Sequence, residues 1–151
     1  MKIYEYHAEQ MLTTDIQTAW KFFSSAGNLS VITPPDLGFV ITSKNLSPDI
    51  FEGMKIEYVV RPLFGIKVKW ITEITEVSKP HSFTDKQLKG PYALWEHHHK
   101  FIEKDGKVLM IDHVRYAMPF GLFGRLAYGI VANRLKYIFD FRRRTMEGIF
   151  K

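Results

Sequence analysis

The sequence predicts an α+β fold in which a curved, antiparallel, seven-stranded sheet wraps around one long C-terminal helix, with two short helices after the first strand. Three observations predict it. Only strand patterns occur between Phe39 and Met118, punctuated by Gly65, Pro80, Gly90-Pro91 and Asp105-Gly106. Turns this short force antiparallel pairing, because a parallel return needs a long crossover. After Pro119, Gly121 and Gly124, one helix runs to about Ile149, roughly 40 Å at 1.5 Å per residue. It alone is large enough to cover the apolar face of the sheet.

The elements follow in order. Residues 3–13 read as a strand. Thr14 or Asp15 caps a helix reaching about Ser25, with Ala19, Trp20, Phe22 and Phe23 on its apolar side. Gly27-Asn28 breaks it, and a helical turn over 28–32 stops at Pro34-Pro35. Strands are predicted at 39–45, 53–61, 66–77, 81–89, 94–104 and 107–118. Alternation places Met54, Ile56, Tyr58 and Val60 on one face, and Val68, Trp70, Thr72 and Ile74 on another. No linker, repeat or low-complexity tract divides the chain, so residues 1–151 form a single domain.

Composition narrows the function classes. The 151 residues are 46% hydrophobic and 25% charged, an ordinary globular balance. Cysteine is absent, which excludes thiol catalysis, disulfides and thiolate-held metals. No apolar run is long enough to span a membrane, and the opening MKIYEYHAEQ has no signal-peptide core; the expected compartment is the cytoplasm. Aromatic residues make up 15%, enough for a bulky core or a lined cavity. The net charge of +5 lies wholly in residues 121–151. It reads either as a nucleic-acid or membrane-surface patch or as cations favouring a helix C-terminus. The second is preferred, so no nucleic-acid partner is expected.

The most informative signal is Lys104-Asp105-Gly106-Lys107. Asp-Gly is the preferred loop of a two-residue type I′ hairpin, and it fixes the register. Trp95 then faces Tyr116, His97 faces Val114, His99 faces Asp112 and Phe101 faces Met110. On the other side Glu96 meets Arg115 and His98 meets His113, a solvated face. The inner face thus mixes aromatics with His97, His99 and Asp112. Phe83, Asp85 and Gln87 alternate onto the same side. Buried polar groups must be paired or wetted, and an aromatic lining with a few convergent polar groups marks a small-molecule site. A satisfied core network, with His99 and Asp112 bonded across the strands, is the structural alternative.

These residues resemble a known superfamily, the helix-grip proteins of START-like, Bet v 1-like and polyketide-cyclase-like type. They look most like small bacterial members of a cell-division-inhibitor-like subgroup. The resemblance rests on Ile32-Thr33-Pro34-Pro35 and on Phe83-x-Asp85-x-Gln87-x-x-Gly90-Pro91-Tyr92-x-x-Trp95-x-His97-x-His99-x-Phe101. It continues in Asp112-x-Val114-x-Tyr116-x-x-Pro119 and Ile138-Phe139-Asp140-Phe141-Arg142. It implies a cavity for a hydrophobic ligand beneath the C-terminal helix, and no settled ligand or reaction.

The expected function is binding, transport or sequestration of a hydrophobic small molecule with a polar head. The expected ligand-binding residues are Tyr58, Trp70, Asp85, Gln87, Trp95, His97, His99, Phe101, Asp112, Val114 and Tyr116. Phe120 and Phe123 join them from a Pro119–Gly124 loop that reads as a gate. The reading requires a cavity of at least ~300 Å³ at this face. The alternative is a cyclase- or hydrolase-type enzyme in the same cavity, using His99 oriented by Asp112 as acid/base and Tyr116 as proton donor. A partner-binding module acting through the basic helix is a third reading. A two-His-one-carboxylate metal site is also conceivable, but residues i and i+2 on a strand lie about 6.5–7 Å apart, so neither metal nor cofactor is expected. The helix is apolar on more than one side, from Tyr128 and Ile130 to Phe139 and Phe141, which leaves a face for a homodimer partner.

Overall fold

Asp105 and Gly106 both adopt positive φ, 53° and 75°, as a type I′ turn demands. The hairpin they close pairs Leu94–Lys104 (β6) with Lys107–Ala117 (β7), in the register read from that turn: Trp95 with Tyr116, His97 with Val114, His99 with Asp112. The computed structural model describes residues 1–119 and 127–151 of the chain. The remaining strands are Tyr4–Leu12 (β1), Val40–Ile41 (β2), Lys55–Val60 (β3), Val68–Ser78 (β4) and Ser82–Lys89 (β5). They form one antiparallel sheet in the order β1-β7-β6-β5-β4-β3-β2. Sheet neighbours are sequence neighbours except at β1, which docks beside β7 and pairs Tyr4 with Tyr116.

The first helix spans Ile16–Phe23 (α1), capped by Asp15, whose carboxylate accepts from the Thr18 amide at 2.8 Å. Its apolar stripe, Ile16, Ala19, Trp20 and Phe23, is buried against Phe83, Phe101, Val108 and Met110 of the sheet. A 3-10 turn follows at Ala26–Ser30. A second one, at Pro35–Leu37, was not expected beyond the proline pair; Pro35 opens it and Gly38 closes it at φ 58°. The expected strand 39–45 shrinks to Val40–Ile41, because the Glu57 carbonyl is taken by the Thr42 and Ser43 amides and the Ser43 hydroxyl interposes at the Glu57 amide.

The long helix is Tyr128–Ile149 (α2). One stripe of it, Val131, Leu135, Phe139, Arg142 and Met146, is buried. Tyr128, Ile130 and Tyr137 are more than a third exposed, so the helix buries fewer of its apolar sides than its sequence suggested. The cations do not serve the helix C-terminus as expected, since the last turn holds no basic residue. They dock the helix instead. Arg134 bonds the Pro62 carbonyl and Asp36, and Arg143 bonds the Glu9 carbonyl of β1. No helix among the described residues is long and apolar enough to cross a membrane.

Candidate functional site

Between α2, the inner face of β3–β6 and the segment 22–39 lies a cavity. The cavity has a volume of about 180 Å³, which falls short of the ~300 Å³ expected from the sequence for a small-molecule site and admits only a compact ligand.

Its walls come from distant parts of the chain. Tyr58 of β3, Trp70 of β4, Tyr92 of the β5–β6 loop and Trp95 of β6 form one aromatic wall, joined by Phe39. Trp70 sits at the centre, stacked on Tyr58 at 5.8 Å and edge-on to Trp95 at 5.5 Å and to Tyr92 at 5.7 Å. Burial pushes the Tyr58 and Tyr92 phenols up, so both stay protonated. Leu135, Ile138, Phe139 and Arg142 of α2 face them. The polar end of the wall is Asp85, His97 and His99.

The histidines lie two residues apart on β6, and their rings stack at 3.6 Å and 23°. His99 also stacks on Phe83 at 4.1 Å. The expected His99–Asp112 bond is not the one that forms. His97 Nε2 donates to Asp112 at 2.7 Å, and His99 Nε2 donates to Asp85 at 2.6 Å. His99 Nδ1 lies 3.5 Å from Asp112. Each histidine thus reaches with Nε2 the carboxylate diagonal to it across the ladder, within range of long side chains. The acid/base pair read from the sequence is corrected accordingly: Asp85 holds His99, and Asp112 holds His97.

Electrostatics follow from this. Burial, then the neighbouring His97, pushes His99 down to about 4 against the partial opposition of Asp85 and Asp112. It is neutral at physiological pH. Burial tends to raise the pKa of Asp112, but Arg142 and the His97 hydrogen bond outweigh it and hold the carboxyl below its usual range. Burial of Asp85 is likewise outweighed, by its hydrogen bond to His99 first and by the nearby Arg142, and its pKa is lowered.

Asp85, His97 and His99 offer three potential metal-ligand atoms within 4.8 Å of one another. Two imidazoles bound to one ion must aim their in-plane lone pairs at a common point. Rings stacked at 3.6 Å and 23° keep those lone pairs in two nearly parallel planes, and both Nε2 atoms already serve carboxylates on opposite flanking strands. The geometry is that of a hydrogen-bonded network.

The other residues singled out from the sequence are placed differently. Gln87 does not line the cavity; its amide brackets the Tyr92 backbone, donating to the carbonyl at 2.8 Å and accepting from the amide at 3.1 Å. Phe101 belongs to the α1 core. Val114 and Tyr116 lie in the core under α2, and burial pushes the Tyr116 phenol up to about 12, a poor proton donor near neutrality. Asp112 opens onto a second cavity of about 230 Å³ between β1, β7 and α2. Phe139 and Arg142 line both cavities. Phe120, Phe123 and the gate assigned to them lie outside the described residues. The sequence reading missed Arg142, Phe139 and Ile138 as lining; their spacing of three and four along a helix was the available signal.

No family model matches this chain, and no curated protein does. Solved structures do. Protein Ms6760 of Mycobacterium smegmatis superposes with a TM-score of 0.69 at 18% identity, covering 97% of this chain and 90% of its own. Ara h 8.0201 gives 0.61 at 11% identity, covering 97% and 99%. A nucleoside-diphosphate sugar epimerase of Corynebacterium glutamicum gives 0.64 at 17% identity over 93% of this chain but only 28% of its own. At such identities the likeness is one of fold, and the fold is the helix-grip.

Proposed function

We propose that this chain is a single START-like domain of the small cell-division-inhibitor-like type, acting in the cytoplasm, and that it binds a hydrophobic small molecule with a polar head between the sheet and α2. One observation carries the reading. The cavity wall passes from a four-ring aromatic surface to a hydrogen-bonded histidine–carboxylate cluster within two residues of β6, from Trp95 to His97. Such a wall holds an apolar body by area and orients a head by directional bonds.

Catalysis by His99 is the weaker reading, because its Nε2 is held by Asp85 and its unprotonated Nδ1 faces Asp112, which does not line the cavity. The test is native mass spectrometry of the purified protein together with thermal-shift titration by naphthyl and decyl compounds. A retained small molecule, or stabilisation growing as RT ln(1 + [L]/Kd) and weakened in Trp70→Ala, supports binding. No retained molecule and no saturable shift with any probe defeats it.

A further inference from the structure

The polar groups around the cavity are not equally satisfied. Asp85 and Asp112 each accept a short bond from an imidazole. Arg142 is different. It is 8% exposed and sits on the buried stripe of α2. Its Nε finds no hydrogen-bond partner among the described residues. Its Nη2 stands 4.0 Å from Asp112 Oδ1, beyond hydrogen-bond range, and that oxygen is already taken by His97. A guanidinium has five donors and no acceptor and stays charged, so leaving its Nε buried and unmet is costly. Phe139 lies beneath it, 5.2 Å from ring centroid to Cζ, and steadies the fork beside the cavity.

We propose that the ligand of this cavity carries an anionic head of the carboxylate class and that Arg142 receives it; this rests on the binding reading above. The buried group left without a partner at the polar end is a donor, Arg142 Nε, so the partner it lacks is an acceptor. A carboxylate matches the planar fork with two charge-assisted bonds, where a hydroxyl or a water meets one donor at a time. The opposing effect is charge. An anion joins Asp85 and Asp112, which outnumber the guanidinium. If their field dominated, an ammonium head would be preferred instead.

Head-group ranking decides between them. Calorimetric titration would compare decanoate, decanol and decylamine, and 2-naphthoate, 2-naphthol and 2-naphthylmethylamine, at pH 7.5. The expected result is that the acid of at least one set binds tenfold or more tighter than its alcohol and amine. That preference should disappear in Arg142→Met and persist in part in Arg142→Lys. Alcohols or amines binding as tightly as the acids in wild type would overturn the anionic head while leaving hydrophobic binding intact. An acid preference that survives unchanged in a folded Arg142→Met would overturn the role of Arg142. Absence of binding by all six probes would overturn this proposal and the binding reading together.

Discussion

His97 and His99 stack ring on ring, 3.6 Å apart, yet donate to different carboxylates on opposite flanking strands, Asp112 on β7 and Asp85 on β5. The stack locks three adjacent strands through side chains on the inner face. It keeps His99 between Phe83 and His97, where a proton is unwelcome.

The first prediction concerns acid. His99 titrates near 4 in the fold and near 6.5 when free. Between these values the unfolded chain binds more protons, so stability is lost as pH falls from about 6.5 to 4. The full loss is about 3 kcal/mol at 1.36 kcal/mol per unit. The lowered Asp85 and Asp112 add their losses below the ordinary carboxylate range. Urea midpoints measured from pH 7.5 to 4.5 should drop, and His99→Gln, which retains a donor for Asp85, should flatten the curve. A flat wild-type curve would contradict a buried neutral His99.

The second concerns the carboxylate behind the histidines. Asp112→Ala strips a buried ion of its place beside Arg142 and His97 and should cost about 3–5 kcal/mol. Combining Asp112→Asn with Arg142→Met removes both charges and should cost less than the two single changes added. Additive losses in denaturant melts would show that the 4.0 Å pair carries no coupling.

Gly90 supplies a third test. A Cβ there would lie 2.5 Å from Gln87 Oε1, so Gly90→Ala must swing the Gln87 amide off Tyr92. Two hydrogen bonds go with it, about 1–3 kcal/mol together. Gln87→Ala should cost a similar amount, and Gly90→Ala in that background should add little. Independent, additive losses would mean that Gly90 acts through something other than Gln87.

Fluorescence offers a fourth. The chain has three tryptophans. Trp70 and Trp95 line the cavity, while Trp20 lies in the α1 core against Phe83 and Phe101. A bound naphthoate should quench wild type and Trp20→Phe alike, and quench the Trp70→Phe/Trp95→Phe double variant far less. Equal quenching in all three would place the ligand elsewhere.

Much of the scaffold was legible because it is local. Asp105-Gly106 dictates a turn, the turn dictates the β6–β7 register, and the register sends His97, His99 and Asp112 inward. The partner exchange was not legible, since it depends on ring stacking and on a third strand's Asp85. Gln87 alternates correctly with Asp85 but ends next to a loop, whose backbone claims its amide. Arg142 reads from the sequence as one of the basic residues of 121–151 that favour a helix C-terminus. Charge alone gave no sign that it falls in step with Leu135, Phe139 and Met146 on the buried side of α2.

The pairing of β1 with β7 has a consequence in time. Strands β3 to β7 join through turns between sequence neighbours and can assemble by successive hairpins. Tyr4–Leu12, by contrast, must wait for Val108–Tyr116, about two-thirds of the chain away, and loop-closure entropy delays such contacts. During synthesis β7 is among the last strands to emerge, and until β1 returns it presents an open edge. An unpaired edge is a template for wrong partners. Refolding yield should therefore fall with protein concentration more steeply than in a sheet built only of neighbouring hairpins, and shortening the N-terminal strand should expose that weakness before it harms the cavity.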